Sequence, residues 1–243
     1  MRQTKTQTLR SGLVLALGSD QRSTGKILRD GGPRRLHATS LGSGNTFAPS
    51  RRRRCASLTG SGAFTTASVV SHQIGSGDFT VCCWVNADAV SNGYRTIWQN
   101  GSLSNQGLYS TMAAGKWGFY LGGDRPSLIP LVVGEWTHIL CRRRAGVLEF
   151  FTNSVPSVAT YSVSTSLANA ATLIGSESTA IRATFAGKVD EFCLYSRAVT
   201  NAEVRVLSSR PGILSETARR RSTKTVFNAY LAARKTQIIG GGF

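Results

Sequence analysis

Gly187-Lys188-Val189-Asp190-Glu191-Phe192-Cys193-Leu194-Tyr195-Ser196-Arg197-Ala198-Val199-Thr200-Asn201-Ala202-Glu203-Val204 reads as a core strand that runs straight into a short helix. Val189, Phe192, Leu194 and Tyr195 give its first half the apolar and aromatic content of a buried strand. Thr200 stands three residues before Glu203, the spacing of a capping box, in which each side chain accepts from the backbone N–H of the other residue. Such a segment suits the last strand of an all-β domain.

Upstream, short apolar runs are broken by Gly, Ser, Asn and Thr, as in strand-and-turn proteins. The 243 residues suffice for one large domain of that kind. No apolar stretch approaches the roughly 18–20 residues that span a bilayer. Arg2, Lys5 and Arg10 precede the apolar run Gly12–Leu17, but that run is short for a signal peptide and Gly18-Ser19-Asp20 is a poor cleavage site. It reads as a first strand.

Cys55, Cys82, Cys83, Cys141 and Cys193 are odd in number, lie in apparent strands and form neither a CxxC pair nor a Cys/His metal spacing. They read as buried free thiols in a reduced setting. The formal charge of +17 is concentrated at the ends. Residues 1–54 carry 12 basic and 2 acidic residues, 209–243 carry 7 and 1, and 55–208 are nearly balanced at 10 and 9. A near-neutral globule with arginine-rich ends calls for an acidic partner.

Several segments, in order, resemble the laminin-G-like (LamG, concanavalin A-like) jelly rolls. The opening segment matches their closing pattern, roughly G-K-I-D-E-[VF]-x-[VLI]-Y-x-R-A-L-[ST]-x-x-E-[IV]. Leu28–Ala38, with Asp30 and His37, resembles the family's D-x-S-G-x-x-x-H-G loop, although its Ser-Gly is altered. Cys55–Phe64 resembles A-L-x-F-x-G-x-x-x-[FY], and Asp78–Asn86 resembles F-T-[IV]-x-x-W-[VI]-x. Gly134-Glu135-Trp136-Thr137-His138-Ile139 matches G-x-W-x-H-[VIL], and Ala171–Gly175 matches L-x-[IL]-G. The resemblance implies an all-β, two-sheet antiparallel jelly-roll sandwich over residues 12–208, with a short helix after the last strand. Residues 1–11 then form a basic N-terminal arm, and residues 209–243 a basic, partly helical C-terminal arm. In that arm a helix over 218–235 would present Val226, Phe227, Tyr230 and Leu231 on one face for assembly.

The enzymes that share this architecture are glycoside hydrolases of the laminarinase and lichenase type, which use paired carboxylates from an E-x-D-x-x-E strand. No such segment occurs, and Glu149 and Glu177 are the residues whose replacement would test an enzyme reading. Asp190 reads as a structural carboxylate, and His138 as a core histidine with a satisfied ring. No cofactor is expected. Calcium is a family possibility through Asp30, Asp78, Asp88 or Asp124, all better read as loop-holding residues.

Arg51, Arg52, Arg53 and Arg54 form the densest basic run, with Arg142, Arg143 and Arg144 at a hairpin tip and Arg219, Arg220 and Arg221 in the tail. These are the candidates for electrostatic docking, non-specific nucleic-acid binding included. Tyr94, Trp98 and Trp117 are the candidates for stacking on a sugar. LamG-like domains also occur in bacteriophage structural proteins. The expected function is therefore a non-catalytic recognition or structural module: a virion surface component, either capsid decoration or tail adhesin, anchored by its arms and homo-oligomeric. Its partners would be other virion proteins or an acidic protein surface, with a glycan as a further ligand. The alternatives are a free lectin-like protein, cytoplasmic or soluble extracellular, a nucleic-acid-binding protein and, last, a glycoside hydrolase.

Overall fold

A computed structural model describes residues 9–18, 27–50, 54–66, 74–89, 93–101, 106–110, 116–168 and 170–214. The strands in chain order are β1 (Leu13–Gly18), β2 (Ile27–Asp30), β3 (Ala38–Gly42), β4 (Asn45–Pro49), β5 (Arg54–Thr59), β6 (Gly62–Thr65), β7 (Phe79–Ala87) and β8 (Arg95–Asn100). They continue as β9 (Gly107–Ser110), β10 (Lys116–Tyr120), β11 (Asp124–Pro130), β12 (Thr137–Arg144), β13 (Val147–Thr152), β14 (Val155–Ser162), β15 (Thr172–Ile174) and β16 (Ala186–Tyr195). One helix, α1 (Asn201–Ser209), follows the last strand.

The pairing is antiparallel along the path β11-β10-β9-β8-β15-β6-β3-β2-β1-β16-β7-β12-β13-β14, with β5 paired to the first half of β16 and β4 paired to β5. One sheet runs from β11 to β3 and the other from β1 to β14, with β2 hydrogen-bonded to both β1 and β3. At the opposite side β11 and β14 are not paired. There the Ser157 hydroxyl bonds the Ser127 carbonyl, and the Tyr161 hydroxyl donates to the Pro126 carbonyl at 2.9 Å. The jelly-roll sandwich is as the sequence implies.

Alternation sends Phe79, Val81, Cys83 and Val85 of β7 into the core between the sheets, beside Phe119 and Phe192. The other face of β7 is also covered. Cys82 joins Leu140, Phe151 and Tyr195 under Val204 and Leu207 of α1. The capping box is made: Glu203 N–H donates to Thr200 Oγ1 at 3.3 Å and Thr200 N–H to Glu203 Oε2 at 2.8 Å. Arg197 adds a two-pronged contact to the same carboxylate, at 2.8 and 2.7 Å. Leu9 and Ile213 are buried against this cluster, and Arg10 Nη2 donates to the Leu214 carbonyl at 2.9 Å. The described parts of both terminal segments therefore pack on the body.

Arg142 and Arg143 correct an expectation. They do not sit at a hairpin tip, because β12 runs through Arg144 and the turn is Ala145-Gly146. Arg142 is 1% exposed and Arg143 is fully buried. Arg142 bonds Glu149 at 2.7 Å, the Val199 carbonyl at 2.5 Å and Asn201 Oδ1 at 2.7 Å, with its guanidinium over Phe151. Arg143, on the other face, donates to the carbonyls of Gly75, Gly77 and Thr165 at 2.6–2.9 Å, over the ring of Phe79. Buried guanidinium groups whose donors are consumed in this way cannot grip an outside anion. Arg144 remains 53% exposed, paired to Glu149 at 2.8 Å.

Strand β16 contains a bulge at Glu191, whose φ is +49°. There Asp190 accepts from the Glu191 N–H at 2.9 Å. Burial, partly offset by a hydrogen bond from Ser50 and by this amide, raises its carboxyl to about 6.

Two outcomes are expected. Arg143→Met leaves three carbonyls without their charged donor and lowers unfolding stability by roughly 3 kcal/mol in urea titration, against about 0.5 kcal/mol or less for exposed Arg144→Met. The Asp190 carboxyl is raised in the folded state, so its contribution is fully present below the unfolded value near 4 and is lost as pH rises through about 6. Urea midpoints compared at pH 4.5 and 7 fall by an amount worth roughly 1–2 kcal/mol, and Asp190→Asn removes that component.

Candidate functional site

On β8 to β11, Trp98, Leu108 and Phe119 face the core. The intervening residues therefore face out, in two cross-strand rows fixed by the register. One row is Thr96, Tyr109, Gly118 and Pro126, and the other is Gln99, Gly107, Tyr120 and Asp124. The glycines shape this surface. A Cβ on Gly118 would stand 2.5 Å from the Tyr109 hydroxyl and 2.7 Å from the Arg125 carbonyl, so only glycine lets the Tyr109 side chain lie across β10. A Cβ on Gly107 would strike the Trp98 carbonyl.

Tyr94, just ahead of β8, reaches over this face. Its hydroxyl donates to Asp124 Oδ2 at 3.0 Å, and its ring meets Tyr109 edge-on with centroids 5.1 Å apart. Burial and then the Asp124 carboxylate push the Tyr94 phenol up, which keeps it a proton donor. Tyr94 is 39% exposed, whereas Tyr109 is buried and its hydroxyl has no hydrogen-bond partner in the protein. On the inner face of β11, opposite the core residue Phe119, Arg125 lies over Tyr161 at 5.5 Å, held by weak bonds to the Asp124 and Gly122 carbonyls. On the outward face half-exposed aromatic carbon stands beside an exposed carboxylate. That set suits a ligand with both apolar faces and hydroxyls.

Of the three aromatic residues proposed from the sequence for sugar stacking, Tyr94 lies on this surface. Trp98 and Trp117 are corrected. Both are fully buried, and a ring without an exposed face cannot stack on a sugar. Trp98 packs against Phe119 and Phe192. Trp117 meets Phe150 edge-on and donates from Nε1 to Thr152 Oγ1 at 2.9 Å, tying one sheet to the other. Tyr109, Tyr120 and Asp124 were missed as a site. Their signal was present in Gly107-Leu108-Tyr109 and Lys116-Trp117-Gly118-Phe119-Tyr120, where tyrosines alternate with core residues.

Arg54 is exposed over Phe47 and donates to its carbonyl at 3.3 Å. Arg51, Arg52, Arg53, Arg219, Arg220, Arg221, Val226, Phe227, Tyr230 and Leu231 lie outside the described residues. Asp30 accepts from the N–H groups of Ala16, Gly32 and Leu36, while His37 Nδ1 accepts from the Asp30 N–H at 3.0 Å. Asp78 holds the Ala145 N–H at 2.9 Å, and Asp88 faces Lys188 at 3.7 Å. No group of three His, Cys, Asp or Glu residues among those described is placed to hold a metal ion. His138 departs from the expected satisfied ring: it is buried against Trp84, and its Nδ1 has no partner. No helix among the described residues is long and apolar enough to cross a membrane.

The chain belongs to the concanavalin A-like lectin/glucanases superfamily, in its Laminin_G_3 group, matched over residues 58–205. No curated protein matches it in sequence. Among solved structures it is similar to the binding domain of Paraclostridial Mosquitocidal Protein 1, with a TM-score of 0.66 and 15% identity, over 82% of this chain and 52% of that one. It thus spans about half the length of that relative. It is similar also to domain 4 of AbnA, a GH43 extracellular arabinanase from Geobacillus stearothermophilus, in complex with arabinotriose: TM-score 0.62, 20% identity, 82% of this chain and 98% of that domain. A third is Trypanosoma rangeli sialidase in complex with sialic acid, with a TM-score of 0.64 and 17% identity, over 81% of this chain and 32% of that one. At these identities the likeness establishes the fold.

Gly118→Ala tests how the outward face is built. The added methyl displaces the Tyr109 hydroxyl, and the expected result is a loss of about 1–3 kcal/mol in thermal or urea unfolding, with altered near-ultraviolet tyrosine dichroism.

Proposed function

We propose that this chain is a non-catalytic glycan-recognition module that reads its ligand on the outward face of β8 to β11. The observation that carries the reading is the assembly of Tyr94, Tyr120 and Asp124 on one surface, with the buried ring of Tyr109 packed edge-on against Tyr94. The C–H face of a sugar ring stacks on Tyr94, while Asp124 accepts from ring hydroxyls. Displacing the Tyr94 hydroxyl from Asp124 exchanges one neutral-to-charged hydrogen bond for another, so binding does not strand a charge.

Three further points support recognition rather than turnover. Glu149, one of the two residues singled out for an enzyme reading, is clasped by Arg142 and Arg144. A domain of an arabinanase in complex with arabinotriose shares the architecture over almost its whole length. The binding domain of botulinum neurotoxin DC in complex with SialylT shares it too, at a TM-score of 0.62. The basic ends of the chain serve, in this reading, to tether the module to an acidic partner, a virion surface being the setting that the sequence suggests.

Titration against a panel of arabino-oligosaccharides and sialylated oligosaccharides tests the reading. One class is expected to bind saturably, without release of new reducing ends. Tyr94→Ala should weaken that binding at least tenfold, and Arg54→Ala should leave it unchanged. Absence of binding across the panel, or equal affinity in Tyr94→Ala, rejects the site.

A further inference from the structure

Cys82 and Cys193 stand directly opposite each other on the neighbouring antiparallel strands β7 and β16. That register depends on the bulge at Glu191. Asp190 pairs with Trp84, so an unbroken ladder would set Phe192 opposite Cys82, and the one-residue shift between Asp190 and Cys193 brings the second cysteine there instead. Either type of antiparallel pair holds its Cα atoms about 4.5–5.5 Å apart, within the roughly 4.4–6.8 Å that a disulfide spans. The Cys193 thiol donates to the Glu191 carbonyl at 3.5 Å, beside the bulge, and the Cys193 and His138 side chains both lie close enough to Cys82 to shift its thiol. His138 Nδ1 and the nearby Tyr195 hydroxyl, both buried, have no partner in the protein, so the polar groups around the sulfurs are incompletely matched.

We propose that Cys82 and Cys193 form an oxidation site that closes to an intramolecular disulfide when the protein meets hydrogen peroxide. The Cys82 thiolate attacks one peroxide oxygen, the O–O bond breaks, and the departing hydroxide takes up the proton lost from Cys82 to give water and a sulfenic acid. The Cys193 sulfur then attacks the sulfur of that acid. The S–O bond breaks, and the second hydroxide leaves as water with the Cys193 proton. The sulfur pair loses two electrons and the peroxide gains them.

The environments of the five thiols separate these two from the rest. The Cys193 thiol and His138, acting against desolvation, hold Cys82 below the ordinary thiol value, while Cys193 is held well above it and keeps the proton. Burial drives Cys55 up to about 12, and Cys83 and Cys141 well above the ordinary value. None of those three faces another cysteine across a strand pair. Peroxide is small enough to reach sulfurs that lie under α1 after a modest local opening.

The test is peroxide treatment of the folded full-length protein, alkylation of remaining thiols in denaturant, and peptide mapping by mass spectrometry. The expected product is a dithiothreitol-reversible link between Cys82 and Cys193, two hydrogens lighter, with Cys55, Cys83 and Cys141 recovered alkylated. Cys193→Ser should instead stop at sulfenic acid on Cys82, trapped by dimedone. All five cysteines recovered as alkylated thiols, or links that join other pairs or separate chains, would overturn the proposal. The mapping on wild-type protein decides the matter even where the variant folds poorly.

Discussion

Two adjacent arginines on one central strand hold this sandwich to its surroundings. Because successive strand residues point to opposite faces, Arg142 and Arg143 put one guanidinium on each side of β12. The first clamps the segment leading into α1, and the second gathers three loop carbonyls against the edge of the core. Each buried charge is tolerable because hydrogen bonds in fixed directions replace its water, a task the planar guanidinium suits better than an ammonium. Helix, strand and loops are thereby referred to a common frame. The helix in turn covers the outer face of β7 and β16 around Cys82, Cys193 and Tyr195, so β7 is buried on both sides.

That division of labour explains why the candidate site lies elsewhere. The face of β7, β12 and β16 that looks away from the core is spent on packing beneath α1. The corresponding face of β8 to β11 carries tyrosines and glycines, and there the aromatic surface is half open. Trp98 and Trp117 go to the interior, where Trp117 bridges the sheets and both fill the core, and Tyr94 and Tyr120 take the margin, where ring and hydroxyl have different uses.

Much of this was legible in the chain. The capped helix, the first strand and the Trp84 and His138 strands follow from alternation, caps and turn residues, which are local. Asp30 as a loop anchor was legible too, because its role is confined to its own loop. The arginine triplet misled because a run of three like charges reads as a solvated tip, and nothing local says that the strand continues beneath it. Its partners Gly75, Thr165, Val199 and Asn201 are remote in sequence, and only the fold brings them together. Trp98 and Trp117 misled for the complementary reason: in a sandwich, exposure depends on which strand face the register turns inward. The cluster on β8 to β11 needs that same parity on four strands at once, and the bulge at Glu191 shows how one residue can reverse it.

The two side walls of the sandwich are built differently. Along one, β2 carries ladder hydrogen bonds from sheet to sheet without interruption; along the other, β11 and β14 meet through side-chain bonds to carbonyls. The molecule is in this sense a book, with a sewn spine and a fore-edge fastened by clasps. Opening motions are therefore directional: the fore-edge parts first and the spine acts as the hinge. Asp124 and Pro126 belong to the very strand that forms that fore-edge. Anything that bridges Tyr94 to β11 lies across the free margin of the page, where a small contact has the longest lever arm.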